Sequence, residues 1–204
     1  MIASKKQLAV RLSRLQSFET PSLRLEQYPT DSEIAAEIIW FASQIGDIEG
    51  KVVADLGCGT GILGIAAMFF KPKKIYFVDI DRFALKKLQS NLELFELGVP
   101  YEIINSDIAS FNTEVDLVLQ NPPFGTKTEH ADKQFLEKAF SISSNIYSFH
   151  KTTSDTFIKK ISEDFGFSVN HFFRFDFPIK QTQSFHKRKI HRIDVGCWHL
   201  EKDF

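Results

Sequence analysis

One feature constrains the fold more than any other: an apolar run that leads straight into closely spaced glycines. Val52–Leu56 is followed by glycines at alternate positions, and an apolar run able to form a helix begins at Ile62. Glycine allows the backbone to adopt positive φ and to approach a bound molecule closely. A strand, a glycine turn and a helix in this order predict the first unit of an open parallel sheet, which binds ligands beyond the carboxyl ends of its strands.

The residues around these glycines indicate which ligand they hold. Gly59–Gly64 matches the G-x-G-x-x-G spacing of dinucleotide sites, with Asp79 at the offset expected for a carboxylate that binds a ribose. Asp55, however, places a carboxylate two residues before the first glycine, where it would repel a pyrophosphate. It suits a cation, and S-adenosylmethionine carries both a sulfonium and an ammonium group. The pattern therefore favours S-adenosylmethionine, with a dinucleotide site or a purely structural turn as the alternatives.

Apolar periodicity places further helices and strands along the chain in alternation. It predicts helices over 5–16, after a cap at Thr30 or Asp31, and over 62–70, 81–97, 131–143 and 154–164. It predicts strands over 52–56, 75–78, 101–104, 115–119 and 146–149, then an antiparallel pair of half-buried strands within 167–177 and 193–197. This order predicts an α/β fold with a mostly parallel sheet. We expect one domain over residues 1–204, with residues 1–46 as an N-terminal helical extension.

Composition narrows the functional class. The chain of 204 residues has 25 Lys+Arg against 26 Asp+Glu, so no strong basic field attracts nucleic acid from a distance. Its apolar and charged fractions exclude a disordered chain. Two cysteines, Cys58 and Cys197, form neither a disulfide framework nor a zinc site alone, and the six histidines show no metal-binding spacing. No apolar run reaches the roughly 20 residues of a membrane span, which predicts a soluble, cytoplasmic protein.

Binding of nucleic acid would therefore depend on a local basic patch. Lys187, Arg188 and Lys189 form one dense run, and Lys127 and Lys151 could extend it. Such side chains would neutralise RNA phosphates and make binding salt-dependent. A solvated loop between the last two strands is an equally good interpretation of the same residues.

A second turn, Asn121–Phe124, follows a predicted strand and has the sequence Asn-Pro-Pro-Phe. Two prolines stiffen the backbone and remove N–H donors, which leaves the Asn121 side-chain oxygen and the Pro122 carbonyl as acceptors. Two fixed acceptors on the hydrogens of an exocyclic amine favour a pyramidal nitrogen and stabilise the positive charge that develops during attack. Phe124 could stack on a base taken out of its helix. The turn therefore predicts methyl transfer to an amine conjugated with a ring or carbonyl.

Several segments together resemble one family, the methyltransferase-like enzymes that make N6-methyladenosine in small-subunit ribosomal RNA of eukaryotes, with archaeal homologues. The segments that carry the resemblance are Leu25–Thr30, Val52–Gly59, Asp79–Asp81, Asn121–Thr126 and Tyr147–Lys151. The resemblance covers about residues 5–190 and weakens in the last strand. It implies a Rossmann-like class I methyltransferase fold with a seven-stranded sheet and helices on both faces.

The resemblance also implies roles for particular residues. Asp107 and Ile108 would hold the cofactor adenine, although Asp107 could equally cap a turn. The catalytic residues would be Asn121, Pro122, Pro123 and Phe124. The other cofactor-binding residues would be Gln27, Tyr28, Thr30, Asp55, Gly57, Gly59, Thr60, Ile62 and Asp79.

The family further implies an RNA substrate and, in eukaryotes, a small zinc-binding activator of the Trm112 type. Such a partner would dock on exposed apolar surface and a sheet edge. Of 21 phenylalanines, 11 lie between Phe135 and Phe185, and they could serve either that surface or the core. Methylation of a guanine amine or a glutamine amide, or a non-catalytic module that binds cofactor or RNA, are the alternative functions.

Overall fold

A computed structural model describes residues 2–18, 29–123, 131–179 and 191–203. Seven of the predicted site residues lie outside these described ranges: Gln27, Tyr28, Phe124, Lys127, Lys187, Arg188 and Lys189.

The described strands form one seven-stranded sheet in the order β3-β2-β1-β4-β5-β7-β6. Neighbouring strands among the first five are parallel, and β7 runs antiparallel to both β5 and β6. This topology confirms the predicted class I methyltransferase fold, including the final antiparallel pair. The strands are β1 Val52–Leu56, β2 Lys74–Asp79, β3 Tyr101–Asn105, β4 Leu117–Gln120, β5 Asn145–Lys151, β6 Phe167–Ile179 and β7 His191–Lys202.

Six α-helices occur in the described ranges at the predicted places along the chain, but the first and the fourth end earlier than predicted. They are α1 Lys5–Leu12, α2 Ser32–Gln44, α3 Ile62–Met68, α4 Arg82–Glu93, α5 Ala131–Ile142 and α6 Asp155–Asp164. Asp31, one of the two predicted caps, accepts the N–H of Glu33 at 2.9 Å and satisfies a free donor of the first turn of α2. The first helix ends earlier than predicted, where the Ser13 hydroxyl bonds the carbonyl of Val10 and competes with the helical pattern.

Helices cover both faces of the sheet and create two apolar cores. The first four helices pack on one face, and α5 with α6 packs on the other. Central strands β1 and β4 are almost fully buried, as expected for parallel strands covered on both sides. None of the described helices is long and apolar enough to cross a bilayer.

One prediction, about which face of the edge strand β6 is buried, is wrong. Its alternating phenylalanines were expected to give one buried face, but Phe167 packs in the core under α5 and α6 whereas Phe177 is buried in the opposite core. The register with β7 shifts between Val169 and His171. Because successive side chains point to opposite faces, one extra residue reverses the face that the following side chains occupy.

Candidate active site

The glycine turn is held against the end of the neighbouring strand. Gly57 and Cys58 both donate backbone N–H groups to the Val78 carbonyl, at 2.8 and 3.1 Å. Gly59 has φ of +53°, and its N–H donates to Asp79 Oδ2 at 2.7 Å. A Cβ at this position would lie 2.8 Å from the Phe18 ring, so glycine is required both for the backbone angle and for the close approach.

Asp79 ends β2 with its carboxylate facing the glycine turn. Its second oxygen, Oδ1, accepts the N–H of Asp81 at 2.8 Å. Burial raises the pKa of Asp79 above its ordinary value, and the hydrogen bonds from Asp81 and Gly59 oppose that rise. Each oxygen keeps a further lone pair, so the carboxylate can still accept hydrogen bonds from a diol.

Asp55 also has a hydrogen-bond partner within the protein, which the sequence did not indicate. Its Oδ2 accepts the N–H of Gly64 in the first turn of α3, at 2.8 Å. A side chain on Gly64 would collide with Phe77 and would lie 3.0 Å from the Asp55 carboxylate, which explains the third glycine of the motif. Burial raises the pKa of Asp55 to about 7, against the lowering effect of the Gly64 hydrogen bond.

Strand register brings the second predicted turn beside the first. Leu119 pairs with Asp55 and Gln120 with Leu56, so Asn121 follows β4 directly next to the glycine turn. The Asn121 Nδ2 group donates to Thr30 Oγ1 at 2.9 Å. Its Oδ1 is buried and has no hydrogen-bond partner among the described residues. An acceptor in that state is the group that an incoming amine needs.

One cavity joins these predicted residues. Asp55, Gly57, Gly59, Thr60, Ile62, Thr30 and Asn121 line it, together with Phe18, Pro29, Cys58 and Leu63, which the sequence interpretation missed. Phe18 gave no signal in the sequence because its contact with Gly59 joins two segments far apart in the chain. Asp79 is hydrogen-bonded to Gly59, which is one of the residues that line this cavity.

Asp107 and Ile108 lie further along the same edge of the sheet and do not line this cavity. Asp107 is exposed, and its Oδ1 accepts the N–H of Ala109 at 2.8 Å, capping a short 3-10 turn. The structure therefore contains the capping interaction that was the alternative interpretation of Asp107. A carboxylate with one capping bond keeps other acceptor sites. Lys151, the described member of the predicted basic patch, ends β5 half-exposed.

Three buried polar side chains next to the second turn form a hydrogen-bonded series that the sequence did not predict. Gln120 Nε2 donates to Ser148 Oγ at 2.9 Å, and Ser148 Oγ lies 2.6 Å from His150 Nε2. Burial lowers the pKa of His150 to about 3, so the imidazole is neutral. This series ties the last residue of β4 to β5.

One group of described residues has potential metal ligands: Asp47, His199 and Glu201. His199 Nε2 is 3.0 Å from Asn145 Oδ1, and the Tyr147 hydroxyl donates to Asp47 at 2.6 Å. The buried His199 Nδ1 has no partner among the described residues, whereas a metal-bound imidazole donates its other N–H to an acceptor. Hydrogen bonds hold this cluster together near the start of β5.

Comparison with known proteins agrees with this geometry. The family model for the methyltransferase small domain matches residues 36–145. The chain is 35% identical over 197 residues to the rRNA N6-adenosine-methyltransferase METTL5 of Danio rerio, covering 93% of this chain and 95% of that protein. The corresponding protein of Drosophila melanogaster is 34% identical over 204 residues, covering 96% and 95%.

A solved structure is similar over the full length. PH1948 of Pyrococcus horikoshii, described as a candidate RNA methyltransferase, is 41% identical, with a TM-score of 0.92 over 100% of both chains. The chain therefore belongs to the methyltransferase small domain family and, within it, is a homologue of the METTL5 proteins.

Proposed function

We propose that this chain transfers a methyl group from S-adenosylmethionine to N6 of an adenine in RNA, and that the RNA is the small-subunit ribosomal RNA. The observation that carries the proposal is the buried Asn121 Oδ1 next to the glycine turn, which has no hydrogen-bond partner among the described residues. The names of the METTL5 relatives support the choice of adenine and of ribosomal RNA. Cytoplasmic location and a single domain over residues 1–204 stay predictions that accompany this proposal.

S-adenosylmethionine is the methyl donor, and the residues that line the cavity fit it. It supplies an electrophilic methyl group on a sulfonium when bound. Gly59 gives the turn that lines the cavity its positive φ, Asp55 lines the cavity as a carboxyl group suited to a cation, and Asp79 offers acceptors to a ribose diol. Gln27, Tyr28, Asp107 and Ile108 complete the proposed cofactor site.

The protein's part in the reaction is to hold the amine. Asn121 Oδ1 and the Pro122 carbonyl would each accept one N6 hydrogen, and Phe124 would stack on the adenine ring. These fixed acceptors stabilise positive charge on nitrogen as it attacks, without reorganisation at that moment. The proton can leave after methyl transfer, so no strong base has to remove it first. Pro123 contributes by stiffening the turn.

The experiment that tests this function is methylation of RNA from cells that lack the gene, followed by nucleoside mass spectrometry. Wild-type protein should form N6-methyladenosine. Asn121→Ala should lose at least about a hundredfold in kcat, since it removes a preorganised acceptor, while its Kd for S-adenosylmethionine stays close to wild type. Asn112→Ala is the control, because Asn112 is exposed and lies in the loop before β4.

Other products would decide against the proposal. Methylguanosine or methylglutamine without N6-methyladenosine would mean a different amine substrate. Methylation that persists unchanged in Asn121→Ala would mean that the turn is not the catalytic element.

We also propose that a small zinc-binding activator of the Trm112 type docks at the β3 edge. Among the described phenylalanines Phe83 has the largest exposed fraction, 71%, and the nearby Ile80 is 57% exposed. Asn105, at the end of β3, bonds the Ile80 carbonyl at 3.0 Å, which places this apolar surface beside the free edge. Co-purification with such a partner, lost in a Phe83→Glu variant that still folds, would test the docking site.

A further inference from the structure

The contact between Thr30 and Asn121 joins parts of the chain 91 residues apart. Thr30 lies just before α2, whereas Asn121 follows β4. Both side chains line the cavity that we assign to the cofactor. A bond between them means that the proposed catalytic amide is held by a residue outside its own turn.

Thr30 itself occupies a fixed position. The next residue, Asp31, caps α2 through Glu33 and accepts the N–H of Ala35 at 2.9 Å with its carbonyl. The inner face of α2 is fully buried in the apolar core, and Thr30 is only 8% exposed. Its hydroxyl is therefore presented to Asn121 from a rigid element.

The orientation of the Asn121 amide decides whether it can assist the reaction. Rotation by half a turn exchanges an acceptor oxygen for a donor nitrogen, and the terminal torsion of asparagine has only a weak intrinsic preference. With Nδ2 bonded to Thr30, the oxygen is left without a partner among the described residues. The reversed amide would present N–H groups to an amine that also carries hydrogens.

A hydroxyl can donate as well as accept, so the contact selects one orientation only when the Thr30 proton is used elsewhere. No other described residue accepts from this hydroxyl. The Thr30 hydroxyl borders the proposed cofactor cavity, where the carboxylate of S-adenosylmethionine is an acceptor of the right kind. Once the proton is donated there, the hydroxyl oxygen can only accept from Asn121 Nδ2.

We propose that Thr30 is a positioning residue that turns the Asn121 oxygen toward the target amine, and that cofactor binding secures this orientation by engaging the Thr30 proton. The inference rests on the proposed role of Asn121 and adds to it a link between cofactor occupancy and the catalytic amide.

Steady-state kinetics of two substitutions test the link. Thr30→Val keeps the shape of the side chain but removes the hydroxyl, and it should lower kcat roughly tenfold to a hundredfold, as expected for a misplaced catalytic group. Thr30→Ser keeps the hydroxyl and should recover most of kcat. Thr113→Val, the same change at an exposed loop position, should match wild type. Wild-type kcat in Thr30→Val, or equal losses in the valine and serine variants, would overturn the proposal.

A readout that does not depend on activity separates this inference from the proposed function. The side-chain amide signals of Asn121 can be assigned in a ¹⁵N spectrum by their absence in Asn121→Asp. Adding S-adenosylhomocysteine should shift the wild-type signals clearly more than those of Thr30→Val, because only the wild-type hydroxyl links the cofactor to the amide. An equal shift in both proteins would overturn the inference. If the shift is larger in wild type but no N6-methyladenosine forms, the contact stands and the proposed function fails.

Discussion

At the scale of single residues, Asp55 makes a structural hydrogen bond, and its burial disfavours the ionised form of its carboxyl group. Its carboxylate is almost fully buried, fastens α3 to β1 through Gly64 and lies near the acidic Asp79. Burial of an ionised carboxylate without a cation is costly. A bound ammonium group would offset that cost, which is the physical reason to expect a carboxylate here in a protein that binds S-adenosylmethionine.

This environment predicts a pH dependence of stability. The pKa of Asp55 is about 7 in the folded protein, above its ordinary value of 3.8, so the folded state holds a proton that the unfolded state releases between these values. The free energy of unfolding should therefore fall as pH rises from about 4 to about 7 and should not fall further above that range. Asp55→Asn should remove this contribution and be more stable than wild type by roughly 2–4 kcal/mol at pH 8.

Urea unfolding at pH 5 and pH 8 measures this effect, with Glu49→Gln as the exposed control. The same variant should bind S-adenosylmethionine more weakly, because the neutral amide no longer attracts a cation. If Asp55→Asn shows no gain in stability at pH 8, the carboxylate is not destabilised by burial.

At the scale of elements, the ends of β4 and β5 are joined by side chains as well as by the backbone ladder. The Ser148 hydroxyl accepts from Gln120 and is also hydrogen-bonded to His150, and both of these partners are buried. Buried polar groups that lose their partner cost more than the bond itself contributes. The end of β4, which carries Asn121, is therefore held to β5 by hydrogen bonds that share the Ser148 hydroxyl.

We expect Ser148→Ala to destabilise the protein by about 2–4 kcal/mol, because it leaves donors and acceptors on two buried residues unsatisfied. Ser141→Ala is the matched control, since Ser141 is exposed on α5. Chemical denaturation followed by circular dichroism measures both. A loss no larger than that of the control would mean that water or another group replaces the serine.

At the scale of the whole molecule, the charge balance determines how RNA is bound. With a net charge of −1, the protein as a whole does not attract a polyanion, so affinity must come from local contacts with phosphates. The predicted basic run, Lys187–Lys189, is the densest candidate in the sequence, and its position lies outside the described residues.

Replacing Lys187, Arg188 and Lys189 by alanine should weaken RNA binding and reduce the slope of log K against log salt by up to about 2, as expected for loss of three phosphate contacts. A control that replaces the exposed Lys6, Lys73 and Lys160 produces the same change in net charge. Salt titrations of RNA affinity distinguish the two variants. Equal behaviour of both would identify the effect as one of net charge and would remove the run from the RNA site.

Local sequence was sufficient to predict the order and type of the elements. The glycine turn, the strand-ending Asp79 and the rigid Asn121–Pro123 turn each encode their conformation within a few residues, through positive φ, a fixed proline ring or an apolar run. The same locality explains the errors. The bulge in β6 depends on its pairing with β7, and the early end of α1 depends on a side-chain hydrogen bond of Ser13, and apolar periodicity specifies neither.

The sequence by itself determined the fold class, both site turns and the kind of ligand, because these follow from the steric and chemical properties of adjacent residues. Only the tertiary structure decided which distant groups meet: Phe18 over Gly59, Thr30 on the Asn121 amide, and Ser148 between Gln120 and His150. Such contacts depend on strand register and on helix packing against the sheet. They arise from burying apolar faces over the whole chain, and no short segment contains that information.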